Sequence, residues 1–277
     1  MYALKQFDNG FEYLEVKNES AYAKIALQGA HIFSYKVKEQ EEFLWLSASS
    51  KFENGSAIRG GIPICWPRFG NLDDTLPQHG FVRVFLFELE KVQELSLEQT
   101  KVYLRLQESE KSRKIWDFKF ELQIIFTITN RLKIEMITTN TDTKAFFLTQ
   151  AFHTYFQVSD IHNIIIEGLK GKTYLDILDN EKKVQKENLR INQEVDRVYE
   201  NVSNEIILHD LKKKTSIKSE NSSSVIIWNP WIDKCKTMSA MDAQGYKKFV
   251  CIESANAFDD FQIIKPKETY SLEVIYT

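Results

Sequence analysis

Residues 118–137 read FKFELQIIFTITNRLKIEMI, and their pattern decides the class of fold. Leu132, Ile134 and Met136 alternate with Arg131, Lys133 and Glu135, the two-residue period of a strand with one buried face. Phe118 to Thr129 is rich in β-branched and aromatic residues, and Asn130-Arg131 supplies the turn between the two runs. The pair reads as an antiparallel hairpin. Outward from it the same style recurs. Strand-like pieces precede it at Ala21 to Leu27, His31 to Val37, Phe43 to Leu46, Val84 to Val92 and Val102 to Leu106. Others follow at Phe146 to Val158, Asn163 to Leu169, Phe249 to Glu253 and Tyr270 to Tyr276. Glu181 to Asn192 reads as a solvated loop from its charge pattern. Lys212 to Ser224, between Ile206-Ile-Leu208 and Val225-Ile-Ile-Trp228, reads as a long hairpin with a charged tip. Many short strands with few helical periods predict an all-β protein, a large antiparallel β-sandwich. No interior linker interrupts residues 1–277, so one domain is expected.

Composition narrows the function classes. The 277 residues are 43% hydrophobic, enough for a substantial core. The 36 basic and 39 acidic side chains leave a formal charge of −3, so no global field draws the chain to nucleic acid or an anionic membrane. An anionic ligand has to be held locally. Three cysteines at unrelated spacings, Cys65, Cys235 and Cys251, suit reduced thiols rather than a disulfide framework. With no apolar signal core at the start and no run long enough for a membrane span, a soluble cytoplasmic protein is expected.

One stretch stands apart from the strands. Residues 59–83, RGGIPICWPRFGNLDDTLPQHGFVR, hold three of the five prolines and four of the ten glycines. Within this stiff loop lie Arg59, Arg68, Gln78, His79 and Arg83, a polar binding surface. Elsewhere, His153 sits in the aromatic run Ala151-Phe-His-Thr-Tyr-Phe156. Glu253 closes Phe249-Val-Cys-Ile, where alternation puts it on the face of Phe249 and Cys251, opposite Val250 and Ile252. A carboxylate ending a buried strand needs a partner or a task, and residues alone leave both open for Glu253. A lone strand histidine such as His153 is more often a satisfied structural residue, and an acid beside an arginine, as Asp196 is beside Arg197, is usually a surface pair. No HExxH, paired CxxC, GxGxxG or GxxxxGK[ST] occurs, which argues against a zinc or nucleotide site. Cys65, between Ile64 and Trp66, reads as a buried thiol. Core packing is the reading for most of Trp66, Trp228 and Trp231.

Six blocks in order carry a resemblance: Arg59-Gly-Gly-Ile-Pro-Ile-Cys-Trp-Pro67, Leu76-Pro-Gln-His-Gly-Phe-Val-Arg83, Phe152-His-Thr-Tyr-Phe156, Asp196-Arg-Val-Tyr199, Trp228-Asn-Pro-Trp231 and Phe249-Val-Cys-Ile-Glu253. Together they resemble the glucose-6-phosphate 1-epimerase family of the aldose 1-epimerase, or galactose mutarotase-like, superfamily. The resemblance implies a β-supersandwich, interconversion of the α and β anomers of a hexose 6-phosphate, and neither metal nor organic cofactor. It puts the general acid on His153 and the general base on Glu253. Asp196, Arg59, Gln78, Arg83 and His79 fall on substrate-binding positions, while Arg68 stands where the family often has a non-basic residue. The expected partner is a small sugar phosphate, with no nucleic acid or membrane, and the expected state is a monomer. A mutarotase of unphosphorylated aldoses and a non-catalytic sugar-phosphate-binding protein are the alternatives.

Chemistry favours the same pair. Opening a cyclic hemiacetal takes a proton from the anomeric hydroxyl and delivers one to the ring oxygen, so a base and an acid must flank the sugar. A glycosidase would need two carboxyl groups around a glycosidic bond. A bell-shaped pH dependence is expected, with Glu253 ionising on the low limb and His153 losing its proton on the high limb. Since no metal motif is present, exhaustive chelation should leave turnover unchanged; recovery of a chelated, inactive protein by one divalent ion would contradict this.

Overall fold

The computed structural model describes residues 1–71, 75–203, 205–211 and 213–277. The decisive hairpin forms as Phe120–Ile128 and Leu132–Asn140, in register from Ile128 opposite Leu132 to Phe120 opposite Asn140. Its turn is closed by Thr129, whose hydroxyl accepts the Arg131 N–H at 3.0 Å. Leu132, Ile134 and Met136 are buried, whereas Lys133 on the other face pairs with Glu273 at 2.7 Å. Each such buried aliphatic side chain contributes about 1.5–3 kcal/mol, which is why the alternation sets the register.

This hairpin lies inside an eight-stranded sheet ordered Ile164–Glu167, Ile206–Asp210, Lys213–Glu220, Thr269–Tyr276, Leu132–Asn140, Phe120–Ile128, Gln99–Gln107 and Glu88–Ser96. A second sheet of eight runs Glu181–Val184, Thr173–Asp176, Val195–Tyr199, Ser224–Asn229, Phe249–Asn256, Gln150–Phe152 and Ile64–Cys65, with Tyr155–Gln157 also paired to Phe249–Asn256. A four-stranded sheet, Tyr2–Gln6, Glu12–Lys17, Ala21–Ala26 and His31–Val37, completes the main layers. Neighbouring strands are antiparallel. One buried cluster draws Ile124 and Phe126 from the first sheet, Ile227, Val250 and Ile252 from the second, and Leu14 and Ile25 from the third. The expected all-β antiparallel sandwich is therefore the fold. No helix among the described residues is long and apolar enough to cross a membrane.

Several local expectations change. Val84 to Val92 is not one strand, because Val82–Val84 winds into a 3-10 turn that carries Arg83 and the strand begins only at Glu88. Glu181–Val184, expected as loop, pairs with Thr173–Asp176: Lys182 stays exposed, the half-buried Lys183 pairs with Asp176 at 3.3 Å, and the backbone extends the sheet edge. The hairpin near residue 212 joins Ile206–Asp210 to Lys213–Glu220, and Lys212 itself lies outside the described residues. Asn221 to Ser223 instead carries the chain across to the other sheet, where Ser224–Asn229 pairs with Val195–Tyr199. Trp231–Thr237 forms a short helix that the sequence reading did not anticipate.

Within residues 59–83, the parts around Trp66 and Gly80 are held backbone on backbone. Phe81 N–H donates to the Trp66 carbonyl at 3.1 Å, beside the cis Trp66–Pro67 bond. At Gly80, with φ of +73°, a Cβ would stand 2.0 Å from that carbonyl oxygen. Gly80→Ala should therefore combine left-handed strain with a backbone clash and cost roughly 2–5 kcal/mol. Gly55→Ala, at φ of +86° with nothing within 4 Å, should cost only the strain, about 1–2 kcal/mol. Denaturant midpoints compare them, and equal losses would show that the close approach to Trp66 carries no weight.

Candidate active site

Phe249–Asn256 is buried along its whole length, on both faces. Val250 and Ile252 enter the main core, while Phe249, Cys251 and Ala255 join Trp45, Tyr155 and Trp228 in a separate cluster on the opposite face. The predicted alternation holds, and it leaves Glu253 on that second face. Two short strands pair with this one: Phe152 lies opposite Ser254 and Tyr155 opposite Cys251. The intervening His153 and Thr154 leave the strand geometry and fall opposite Glu253 and Ile252. His153 N–H donates to the Pro63 carbonyl at 3.0 Å, which ties the break to the loop of residues 59–83. His153 Nε2 thereby comes 3.4 Å from Glu253 Oε1.

Neighbouring strands extend the site. Asp196 lies opposite Trp228, Trp228 opposite Cys251, and Cys251 opposite Tyr155, so the four form one row across the sheet. Val198, Ile226 and Glu253 make the next row on the same face. The Tyr155 ring stacks on His153 at 4.9 Å between centroids and 12° between planes. Arg59 reaches the Tyr155 hydroxyl, which brings the loop's first arginine to this row.

His79 comes from the other end of the loop. Its ring meets that of His153 edge to face at 5.6 Å, and that of Phe69 at 5.1 Å. Its N–H donates to the Gly70 carbonyl at 2.9 Å, and its Nδ1 accepts the Gly70 N–H at 3.3 Å. An accepting Nδ1 leaves Nε2 as the protonated nitrogen of a neutral ring. Arg83 Nη2 donates to the Gln78 carbonyl at 2.7 Å, so Gln78 anchors that arginine through its backbone while its side chain is exposed. Arg68 is half-buried and donates to Thr75 at 3.3 Å. The structure thus gathers His153, Glu253, Asp196, His79, Arg59 and Arg83 around one face, with Gln78 bonded to Arg83 through its carbonyl.

Burial is the first cause of each strong shift in this group. It pushes the Glu253 carboxyl well above the usual carboxylate range, with the charge of Asp196 adding to the effect. It pulls the His153 imidazole well below the usual histidine range, and His79, Arg83 and Arg59 act in the same direction. His79 falls to about 3 through burial and the charges of Arg83 and Arg59. Asp196 is lifted to about 6 by burial, opposed by Lys234 and supported by Glu194 and Asp176. Glu253 is 1% exposed and His153 9%, so His153 is the member of the pair that meets the surface. Glu253 Oε2 and His153 Nδ1 find no hydrogen-bond partner among the described residues. In a buried setting such atoms are costly unless a ligand completes them.

His31, Tyr155 and Cys251 belong to this region without having been singled out for it. His31 is buried, and its Nε2 lies 2.8 Å from the Gly60 carbonyl behind Arg59. Burial lowers His31 to about 4, against the bond to Gly60 and in the same direction as the charge of Arg83, so its ring is neutral and donates. Alternation offered one signal, since it places Cys251 on the face of Glu253. The pairing that brings Tyr155 opposite Cys251, and the distance that brings His31 to Gly60, have no local signature.

The chain matches the aldose 1-epimerase family over residues 12–277. It is 34% identical over 258 residues to the "Putative glucose-6-phosphate 1-epimerase" of Escherichia coli, covering 91% of this chain and 86% of that protein. A protein of the same name from Cenchrus ciliaris is 34% identical over 264 residues, 90% of this chain and 78% of the other. Its fold is similar to the crystal structure of a "putative mutarotase" from Salmonella typhimurium, with a TM-score of 0.92 and 32% identity, over 99% of this chain and 92% of that one.

Proposed function

This chain belongs to the aldose 1-epimerase family and is an isomerase of sugar anomers, and we propose that its substrate is a hexose 6-phosphate, glucose 6-phosphate before others. The relatives at 34% identity carry that substrate in their names. The observation that carries the mechanism is the buried carboxylate and imidazole at 3.4 Å, framed by Arg59, Arg83 and His79. Glu253 takes the proton of the anomeric hydroxyl and His153 gives one to the ring oxygen. Rotation about C1–C2 presents the other face of the aldehyde, and reversal of both transfers closes the ring as the other anomer. Asp196 and the neutral His79 hold sugar hydroxyls, His79 donating through Nε2. The guanidinium groups of Arg59 and Arg83 supply planar donor forks for the phosphate oxygens. A single functional unit, acting as a monomer on a small sugar phosphate, suffices for these steps.

Ring opening converts an ionised pair, Glu253 carboxylate with His153 imidazolium, into a neutral one. Burial disfavours charge on both groups, as the opposite directions of their shifts record. The same environment therefore stabilises the open-chain intermediate relative to the bound ring. A consequence concerns pH. With Glu253 raised and His153 lowered, the free pair sheds its first proton from the imidazole and its second from the carboxyl. That reverses the limbs expected from the sequence. The working form holds one proton between the two groups and opens the ring through its carboxylate–imidazolium tautomer, and the limbs belong to the pair.

Glu253→Gln keeps the shape but cannot accept a proton, and His153→Asn cannot release one; each should lower kcat about 10²–10⁴-fold with smaller effects on affinity. Turnover of purified α-anomer by polarimetry or NMR, with spontaneous mutarotation subtracted, measures this. Near wild-type kcat in folded Glu253→Gln would remove Glu253 from the mechanism. In the free protein the His153 ring should stay neutral below the ordinary histidine value near 6.5. An NMR titration giving a value above that would reinstate the first assignment of limbs. For the phosphate, Arg83→Met should cost roughly 1.5–3 kcal/mol in kcat/KM on glucose 6-phosphate and little on free glucose. Equal losses on both sugars would refute the phosphate reading.

A further inference from the structure

Cys251 is a third neighbour of the pair, and the proposed reaction does not use it. It sits two residues before Glu253 on the same face of the same strand, is fully buried, and forms no disulfide. A His153 ring nitrogen, the Cys251 sulfur and a Glu253 carboxylate oxygen all lie within 4.8 Å of one another. We propose that His153, Cys251 and Glu253 form an inhibitory site for a borderline-soft divalent cation, Zn²⁺ foremost. The inhibition rests on the reading of His153 and Glu253 as the acid–base pair.

Geometry comes first. Zinc bonds of about 2.0–2.3 Å at tetrahedral angles set donor atoms roughly 3.3–3.6 Å apart. The 3.4 Å between His153 Nε2 and Glu253 Oε1 already meets that spacing. From 4.8 Å at most, the sulfur has to close by roughly 1 Å to reach it, a small adjustment about its side-chain torsion. The donor chemistry selects the ion. One sulfur, one imidazole nitrogen and one carboxylate oxygen suit zinc, whereas Mg²⁺ and Ca²⁺ take oxygen ligands. Three protein ligands leave the fourth position for water.

Charge and unmet bonding capacity favour occupancy. On binding, the Cys251 thiol and the Glu253 carboxyl each release a proton to solvent, and the thiolate and carboxylate together neutralise the two charges of the metal. The buried complex is then neutral, the form that a low-dielectric setting tolerates. Glu253 Oε2, buried and without a hydrogen-bond partner among the described residues, is a further donor on the same carboxylate. A metal held here occupies the carboxylate and imidazole lone pairs that ring opening needs, so turnover stops at the spontaneous rate. Such a site leaves catalysis itself metal-free.

The test keeps binding and inhibition apart. Co²⁺ added to the full-length protein should produce a thiolate-to-metal charge-transfer band that saturates at one equivalent, and Zn²⁺ should abolish it by displacement. Zn²⁺ should lower glucose 6-phosphate turnover to the spontaneous floor, EDTA should restore it, and Mg²⁺ should do neither. Cys251→Ala should weaken the metal response by at least ~10–100-fold, the loss seen for removing even an outer partner of a metal ligand. Cys251→Ser serves in the same role if the alanine protein does not fold. Cys235→Ala, whose sulfur bonds the Asp242 carbonyl, should respond as wild type does. Absence of the band, or inhibition of Cys251→Ala at the wild-type zinc concentration, overturns the site. A band that forms at one equivalent while turnover continues leaves the metal site standing and overturns the acid–base reading.

Discussion

The arrangement depends on one strand, Phe249–Asn256, being buried on both faces. A strand of that kind usually carries only apolar residues, because a carboxylate taken from water costs several kcal/mol unless something compensates it. Here Val250 and Ile252 pack into the sandwich core on one side, and the other side carries Cys251 and Glu253 under Trp228 and Tyr155. The buried acid is thus held by a backbone that packing makes immovable. His153 reaches it because Gln150–Phe152 and Tyr155–Gln157 pair to the same partner in one register, which sets His153 opposite Glu253.

From that placement the electrostatics follow. Neither member of the pair is ionised cheaply, and the arginines at the two ends of the loop make the imidazole harder still to protonate. Charge around the site is therefore divided by function in the proposed mechanism, with fixed positive charge assigned to the phosphate and a neutral, proton-sharing pair assigned to the anomeric centre. His79 fits the same division, since burial and then the nearby arginines keep it neutral, and the bond from Gly70 to Nδ1 leaves the other nitrogen to donate.

The described parts of the loop that carries these groups are held by contact rather than by composition alone. Gly80 is required because the Trp66 carbonyl stands where a Cβ would be, the Trp66 indole N–H donates to the Thr138 hydroxyl of the first sheet at 2.9 Å, and His31 reaches the Gly60 carbonyl from the third. The three sheets therefore meet behind the site. Arg59 and Arg83 are anchored by the same contacts, through Tyr155 and through the Gln78 carbonyl.

Periodicity in the chain was enough to determine the antiparallel β class, the register-setting hairpin at Asn130-Arg131 and the face on which Glu253 lies. These are local properties: alternation is set by the two-residue repeat of an extended chain, and turns by residues that accept particular backbone angles. Ordered blocks between Arg59 and Glu253 were enough to point to the family. Which strands pair was decided only in three dimensions, because Phe152, Tyr155, Asp196 and Trp228 come from distant parts of the chain and no local preference encodes their neighbours. Tertiary structure likewise turned Val82–Val84 into a 3-10 turn, extended a sheet through Glu181–Val184 and buried His31. It also set the protonation preferences of Glu253 and His153, since a pKa follows the dielectric and the charges around a group, and both exist only once the sheets have closed over it.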